Sequence, residues 1–373
     1  MTRPSSSIGE WLRSFSGEVS GALGDLGTFL PYVIAITGAG ILAPTPVFVG
    51  FAAGYALVAL VYRAPIAVQP MKAVGALIIA GSLTAPETAW TGAIIGAFLL
   101  VFSASAQLGK VAWAIPQSVV TGLQVGLGLM LGMVAIDLMA AQWALAIPAL
   151  AVLALSLIWG RGPWALIVVG AAVLVAPVSD PLVITEAPDA NISIRALLSG
   201  ITAQLPLTLL NAVVVAAAVT RSLYPSRASL VSQRKLAATS GALNLFLVPF
   251  GALPMCHGAG GIAAHHRFGA RGIGSPMIMA VLCVAAALAG RDVIGWLTMI
   301  PMPVVGALLA YAAADLVLSR RMFDARADCR PVIGAAAIMT VALGAGAGLI
   351  VGLAAEAVRV QIRRRRQVMN THR

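Results

Sequence analysis

The stretch ALPMCHGAGGIAAHH, residues 252–266, decides how this chain folds. It lies in an apolar region, yet it holds Pro254, His257, Gly258, Gly260 and Gly261 close together. Proline has no N–H and is tolerated in the first turn of a helix, not in its interior. Residues 250–254 are therefore expected to be extended, with a helix beginning near Met255. A second stretch, VQPMKAVGALIIAG at 68–81, repeats the pattern of Pro-Met followed by a Gly/Ala-rich apolar run. By the same reasoning 65–69 is extended and a helix begins near Pro70. A membrane crossing needs about 20 apolar residues. These two segments, near 70–82 and 255–266, are too short and read as half-helices.

The sequence around them belongs in lipid. Of 373 residues, 60% are hydrophobic and 10% charged, where a soluble domain carries roughly 25% charged residues. No polar coat can be made from so few charges. The 38 glycines let helices approach closely, which is how helices associate in a bilayer. Apolar blocks at 20–40, 46–62, 66–82, 90–108, 118–136, 143–159, 163–177, 196–219, 236–252, 255–266, 275–290, 293–318, 331–344 and 346–360 predict an all-α polytopic membrane protein. The expected count is about 12–14 transmembrane elements.

Charge orients the chain. Segment 178–194 is acidic and has no Lys or Arg, while 221–235, 320–330 and Arg363–Arg366 are basic. Basic loops face the cytoplasm, which places both termini inside and 178–194 outside. Each half then crosses an odd number of times, the condition for inverted repeats. The expected organisation is a lead-in at 1–19, one repeat at 20–177, an extracytoplasmic loop at 178–195, a second repeat at 196–360 and a basic tail at 361–373. Besides the Pro-Met pair, GALGDLGTFLPYVIA (21–35) can be laid on GITAQLPLTLLNAVV (200–214), which sets Asp25 opposite Gln204. The net charge of +11 follows from the basic loops, so the bilayer, not nucleic acid, is the expected partner. Cys256, Cys283 and Cys329 form no CxxC pair. Walker, HExxH and GxSxG motifs are missing. No enzyme, cofactor or metal is expected; a secondary carrier or a channel remains.

Ionisable residues deep in apolar segments cost roughly 2.5–3.5 kcal/mol to insert and mark function by default. Asp25, Lys72 and His257 stand out, the last two at near-equivalent places in the halves. A helix start exposes N–H groups and a positive dipole end, which bind anions. Two such starts facing each other near the midplane make an oxyanion site. Lys72 adds a full charge, and the glycines let backbone N–H groups reach the ligand. The candidate lining is Thr28, Gln69, Met71, Lys72, Gln204, Asn211 and His257, with Gly258, Ala259, Gly260 and Gly261 contributing backbone. Asp25 would repel the anion directly, so it is expected one layer back, orienting, pairing with Lys72 or carrying a coupling proton. Purely structural roles compete with each assignment. Asp25 can pair with Lys72 only to hold the fold, and His257 can be a satisfied interhelical hydrogen-bonder. The glycines can serve packing. Gln69, Gln204 and Asn211 can be interhelical glue worth about 0.6 kcal/mol each.

The segments GALGDLGTFLPYVIA (21–35), PIAVQPMKA (65–73) and LPMCHGAGGIAAHHRFGARGIG (253–274) resemble the molybdate transporter family of plants, algae and bacteria, related to the sulfate permeases. The resemblance covers nearly the whole membrane domain, and its third block is the most specific. It implies molybdate uptake, with sulfate as the related or competing oxyanion. It also implies a sulfate-permease-like architecture of two inverted seven-element repeats with short helices third and tenth. Sulfate permeases usually carry a C-terminal cytoplasmic domain; this chain ends at Arg373, which favours molybdate. The expected mechanism is alternating access, with a bundle of 21–40, 66–82, 196–219 and 255–266 moving against the other helices. Sulfate or tungstate transport on the same fold and a passive anion channel stay open, as do a coupling proton or cation and a homodimer. A nucleobase carrier would want carboxylates in 200–214 or 255–266, and neither stretch has one.

Overall fold

A backbone in hydrocarbon must satisfy its own polar groups, which favours helices throughout. The computed structural model of the protein describes residues 8–24, 26–105, 116–159, 164–175, 192–290, 292 and 299–371. The first half runs α1 (Ile8–Gly24), α2 (Leu26–Gly38), α3 (Pro44–Tyr62), β1 (Gln69–Pro70), α4 (Lys72–Ile79), α5 (Ala85–Ala104), α6 (Gln117–Ala140), α7 (Trp143–Trp159) and α8 (Trp164–Val175). The second runs α9 (Ile194–Leu223), α10 (Gln233–Leu247), β2 (Met255–Cys256), α11 (Ala259–Arg267), α12 (Gly274–Ala289), α13 (Met302–Val317), α14 (Arg330–Leu343) and α15 (Ala345–Thr371). Segments α1 and α2 form a pair bent by 50°. Taken as one element, that pair makes α4 the third helical element, and α11 the tenth, among the described residues.

Six helices among the described residues are long and apolar enough to cross a membrane by length and composition, and the bent pair makes up to seven. Helices α4 and α11 are half-helices of 8 and 9 residues. They start later than the prolines suggested. Residues 69–70 and 255–256 are held instead as two antiparallel strands, Gln69 opposite Cys256 and Pro70 opposite Met255. Met71 N–H continues the crossing by donating to Pro254 O at 2.8 Å. The N-cap residues are Met71 and Gly258. Aligned on those N-caps, Lys72 corresponds to Ala259 and Pro70 to His257, so Lys72 and His257 are not counterparts.

Packing follows the repeat. Helix α3 lies along α12 as α10 lies along α5, and α6 packs on its counterpart α13. Apolar burial divides into two principal bodies. The larger joins residues of α1–α5 and α9–α12 with the earlier part of α6 and Ala345 of α15, and includes Phe51, Val74, Leu209 and Ile262. The smaller joins α7, α8, α13 and the later part of α6, and meets the first through Tyr32, Ile34, Ala35 and Ala76. The four-segment bundle expected from sequence is thus too small, because α3, α5, α10 and α12 pack into the same body as the half-helices. Within α9, Pro206 removes one helical N–H, and the helix widens to π geometry over Thr208–Val215. Such widenings are frequent at functional sites. Arg363–Arg366 continue α15, which is helical to Thr371.

Candidate functional site

The site is built where the two halves cross. Strand β2 is held by Asn244 of α10: its Oδ1 accepts from Met255 N–H at 2.9 Å and its Nδ2 donates to Met255 O at 2.6 Å. A strand of two residues has almost no ladder of its own, so this buried amide supplies what a neighbouring strand would. Gln69 of β1 lies on Gly258. A Cβ there would fall 2.0 Å from Gln69 Oε1, so the close approach requires glycine.

His257 is fully buried. Its Nδ1 is 3.2 Å from Ala67 O, a group that only accepts, so Nδ1 carries the proton. In the neutral ring Nε2 then accepts from Thr239 Oγ1 at 2.7 Å, and Tyr62 Oη lies 2.7 Å from that hydroxyl. The imidazole thus ties the second half to the loop and helix of the first. This is the interhelical hydrogen-bonding role. His257→Ala is expected to cost about 2–4 kcal/mol, from lost buried hydrogen bonds and the cavity left behind. A melting curve in detergent checks it; an unchanged midpoint would return His257 to the ligand-lining set.

The two half-helix starts differ. Gln204 of α9, buried, accepts with Oε1 from Ala73 N–H at 2.9 Å and Val74 N–H at 3.3 Å, and its Nε2 donates to Thr208 Oγ1 at 2.8 Å. The first turn of α4 is therefore capped from outside by a side chain. Helix α11 begins differently: its N-cap is Gly258, whose missing side chain lets Gln69 lie over the helix start. Gly260 is exposed, and a Cβ added there would meet nothing within 4 Å. Of the first three residues Gly260 is exposed, while Ala259 and Gly261 are buried; a helix start of this kind suits an anion. At its other end α11 is anchored by buried His265, whose Nδ1 lies 2.8 Å from Gly21 O.

Lys72 begins α4 directly after the crossing. Its Nζ lies 2.5 Å from Asp315 Oδ2 of α13, with the side chains 24% and 48% exposed. Asn211 is engaged as well: its Oδ1 accepts from Arg321 Nη2 at 3.1 Å. The structure therefore brings Gln69, Met71, Lys72, Gln204 and the 257–261 segment to one crossing. It turns Gln204, Asn211 and His257 toward protein partners. Amides 73 and 74 in the first turn of α4 are also occupied, and Pro70 has no N–H to offer. Asp25 and the side chain of Thr28 lie outside the described residues. Asp315 and Asn244 were not singled out from sequence. Asp315 had a usable signal, as a carboxylate inside the apolar block 293–318; Asn244 had none beyond being an amide in an apolar run.

Comparison with known proteins agrees with this architecture. A family model described as molybdate transporter of MFS superfamily matches residues 17–131 and 196–316. The chain is 30% identical over 380 aligned positions to molybdate transporter 1 of Arabidopsis thaliana, covering 85% of this chain and 82% of that protein. It is 27% identical to molybdate transporter 2 of the same plant, covering 92% and 89%. The transmembrane domain of the cyanobacterium bicarbonate transporter BicA superposes with a TM-score of 0.65 at 16% identity, covering 92% of this chain and 97% of that one. Murine Slc26a9, an anion transporter in the inward-facing state, gives 0.68 at 13%, covering 97% and 70%. At those identities the two structures show a shared fold, the sulfate-permease-like one. The family match spans both halves, and the plant relatives align along most of their length. This multi-pass membrane protein belongs to the molybdate transporter family.

Proposed function

We propose that the protein is a secondary carrier of a tetrahedral oxyanion, molybdate foremost, working by alternating access between its two packed bodies. The observation that carries this reading is the half-helix α11, which starts from a glycine N-cap at the crossing of the two halves and has open space at exposed Gly260. The names of the plant relatives point to the same cargo. In this reading the dianion rests on the amides of 259–261, with Gln69 and Lys72 completing its shell. Gln204 holds α4 in place, and Met71 lies in the crossing that joins the halves. The larger body carries the anion past the smaller, and Asp25 serves from one layer back. Both termini face the cytoplasm, by the basic loops at 221–235 and 320–330.

A thermal-shift panel in detergent tests it, with molybdate, tungstate, sulfate and uracil. Molybdate and tungstate are expected to stabilise at lower concentration than sulfate, with uracil inert. Stabilisation by uracil alone, or by none of the four, would sink the proposal. Uptake into proteoliposomes should saturate with molybdate; a linear, high-conductance flux would assign a channel instead.

A further inference from the structure

Among the described residues, polar contacts that cross from the larger body to the smaller, or to the segment that follows it, include two with charged groups. One is Asn211 with Arg321, a neutral amide bonded to a cation. The other is Lys72 with Asp315, a full ion pair. It is the ion pair that carries an inference. Lys72 moves with α4, which is fixed to the larger body by Val74 and Leu77, whereas α13 is packed in the smaller body by Val305, Leu308 and Leu309. The Asp315 side chain is 48% exposed, so the ion pair is not sealed inside the packed helices. Lysine is a compact point charge with three rotatable donors, so it can change partners without the geometric loss a bidentate arginine would suffer.

We propose that Asp315 is an internal stand-in for the substrate. It holds Lys72 in the empty carrier, and an incoming oxyanion dianion displaces it. The exchange does two things at once. It gives the anion the ammonium group, and it removes an ionic contact between the two bodies. Binding is thereby linked to freedom of the bodies to move, because a ligand shifts a conformational equilibrium only by its differential affinity for the two states. Tyr32, buried at the seam with its ring over Gly75 and within electrostatic reach of both charges, marks the same face as the place where the bodies touch. The inference rests on the carrier reading above and deepens it.

The test compares signs. A salt bridge that only holds the fold predicts weaker binding when either partner is removed. A stand-in predicts opposite effects. Asp315→Asn should bind molybdate more tightly, on the order of fivefold, the scale of a partly exposed ion pair. Lys72→Ala should bind more weakly, and Asp315→Asn should bring no gain in the Lys72→Ala background. Equal or weaker binding by Asp315→Asn, or the same gain without Lys72, overturns the proposal. Hydrogen exchange on the unmodified protein keeps the question open to decision should the variant not fold. Molybdate should raise exchange in 311–317 while protecting 259–263; unchanged or slower exchange in 311–317 overturns it. Failure of the unmodified protein to bind any oxyanion overturns the carrier reading itself, and is seen before any variant is made.

Discussion

Lys72→Ala is expected to weaken molybdate binding by about tenfold or more while leaving the protein inserted and folded. The magnitude follows from what is removed. A hydrogen bond to a charged group contributes roughly 1.5–3 kcal/mol, and each 1.4 kcal/mol is a factor of ten. Folding should survive because the pair is not sealed in the packed core, Asp315 being 48% exposed; exposed pairs are worth only about 0–1 kcal/mol. The helix start is also kept, since Gln204 caps Ala73 and Val74 through their backbone and does not touch the lysine side chain. Lys72→Arg retains charge and should fall between the two. Binding titrations followed by thermal shift, with uptake KM in proteoliposomes, read the effect. Unaltered affinity in Lys72→Ala would show that the anion sits elsewhere.

The half-helices were legible because their signals are local. Proline and glycine interrupt hydropathy wherever they occur, so VQPMKAV and LPMCHGAGG announce a break without knowledge of the partner. Where each helix begins was not legible to the residue. Pro70 and Met255 are withheld from their helices by pairing with each other across the halves, a contact with no local code. The same limit explains the reassigned side chains. Gln204 reads as an amide in an apolar run, and only the fold brings it to the amides of α4. His257 reads as an ionisable group beside glycines, and only the fold encloses it between Ala67 and Thr239. The partner of Lys72 was the costliest omission. Asp315 satisfied the rule that drew attention to Asp25, being a carboxylate inside an apolar segment. A sequence separation of 243 from Lys72 leaves the pairing without any local signal.

Gly241→Val is expected to remove the folded protein, not merely to slow it. Helices α5 and α10 meet backbone to backbone. A Cβ at Gly241 would fall 2.8 Å from Leu100 N and 2.9 Å from Gly96 O, and a Cβ at Gly96 would fall 2.5 Å from Leu245 N. These are main-chain atoms of two helices, so no rotamer change relieves the overlap; the helices must part along the seam. Overpacking a tight interior commonly costs 1–3 kcal/mol even where side chains can yield, and here they cannot. The displacement also reaches the site. Helix α10 carries both Asn244, which clamps Met255, and Thr239, which bonds His257. Moving it loosens β2 and the start of α11 together. Gly170→Val in α8 is the control, because a Cβ there meets nothing within 4 Å. Size-exclusion chromatography and melting curves in detergent should show Gly241→Val aggregated or absent and Gly170→Val nearly native. Equal behaviour of the two variants would mean that the α5–α10 seam can open, and that α10 is free to move with respect to the half-helices it is here assigned to hold.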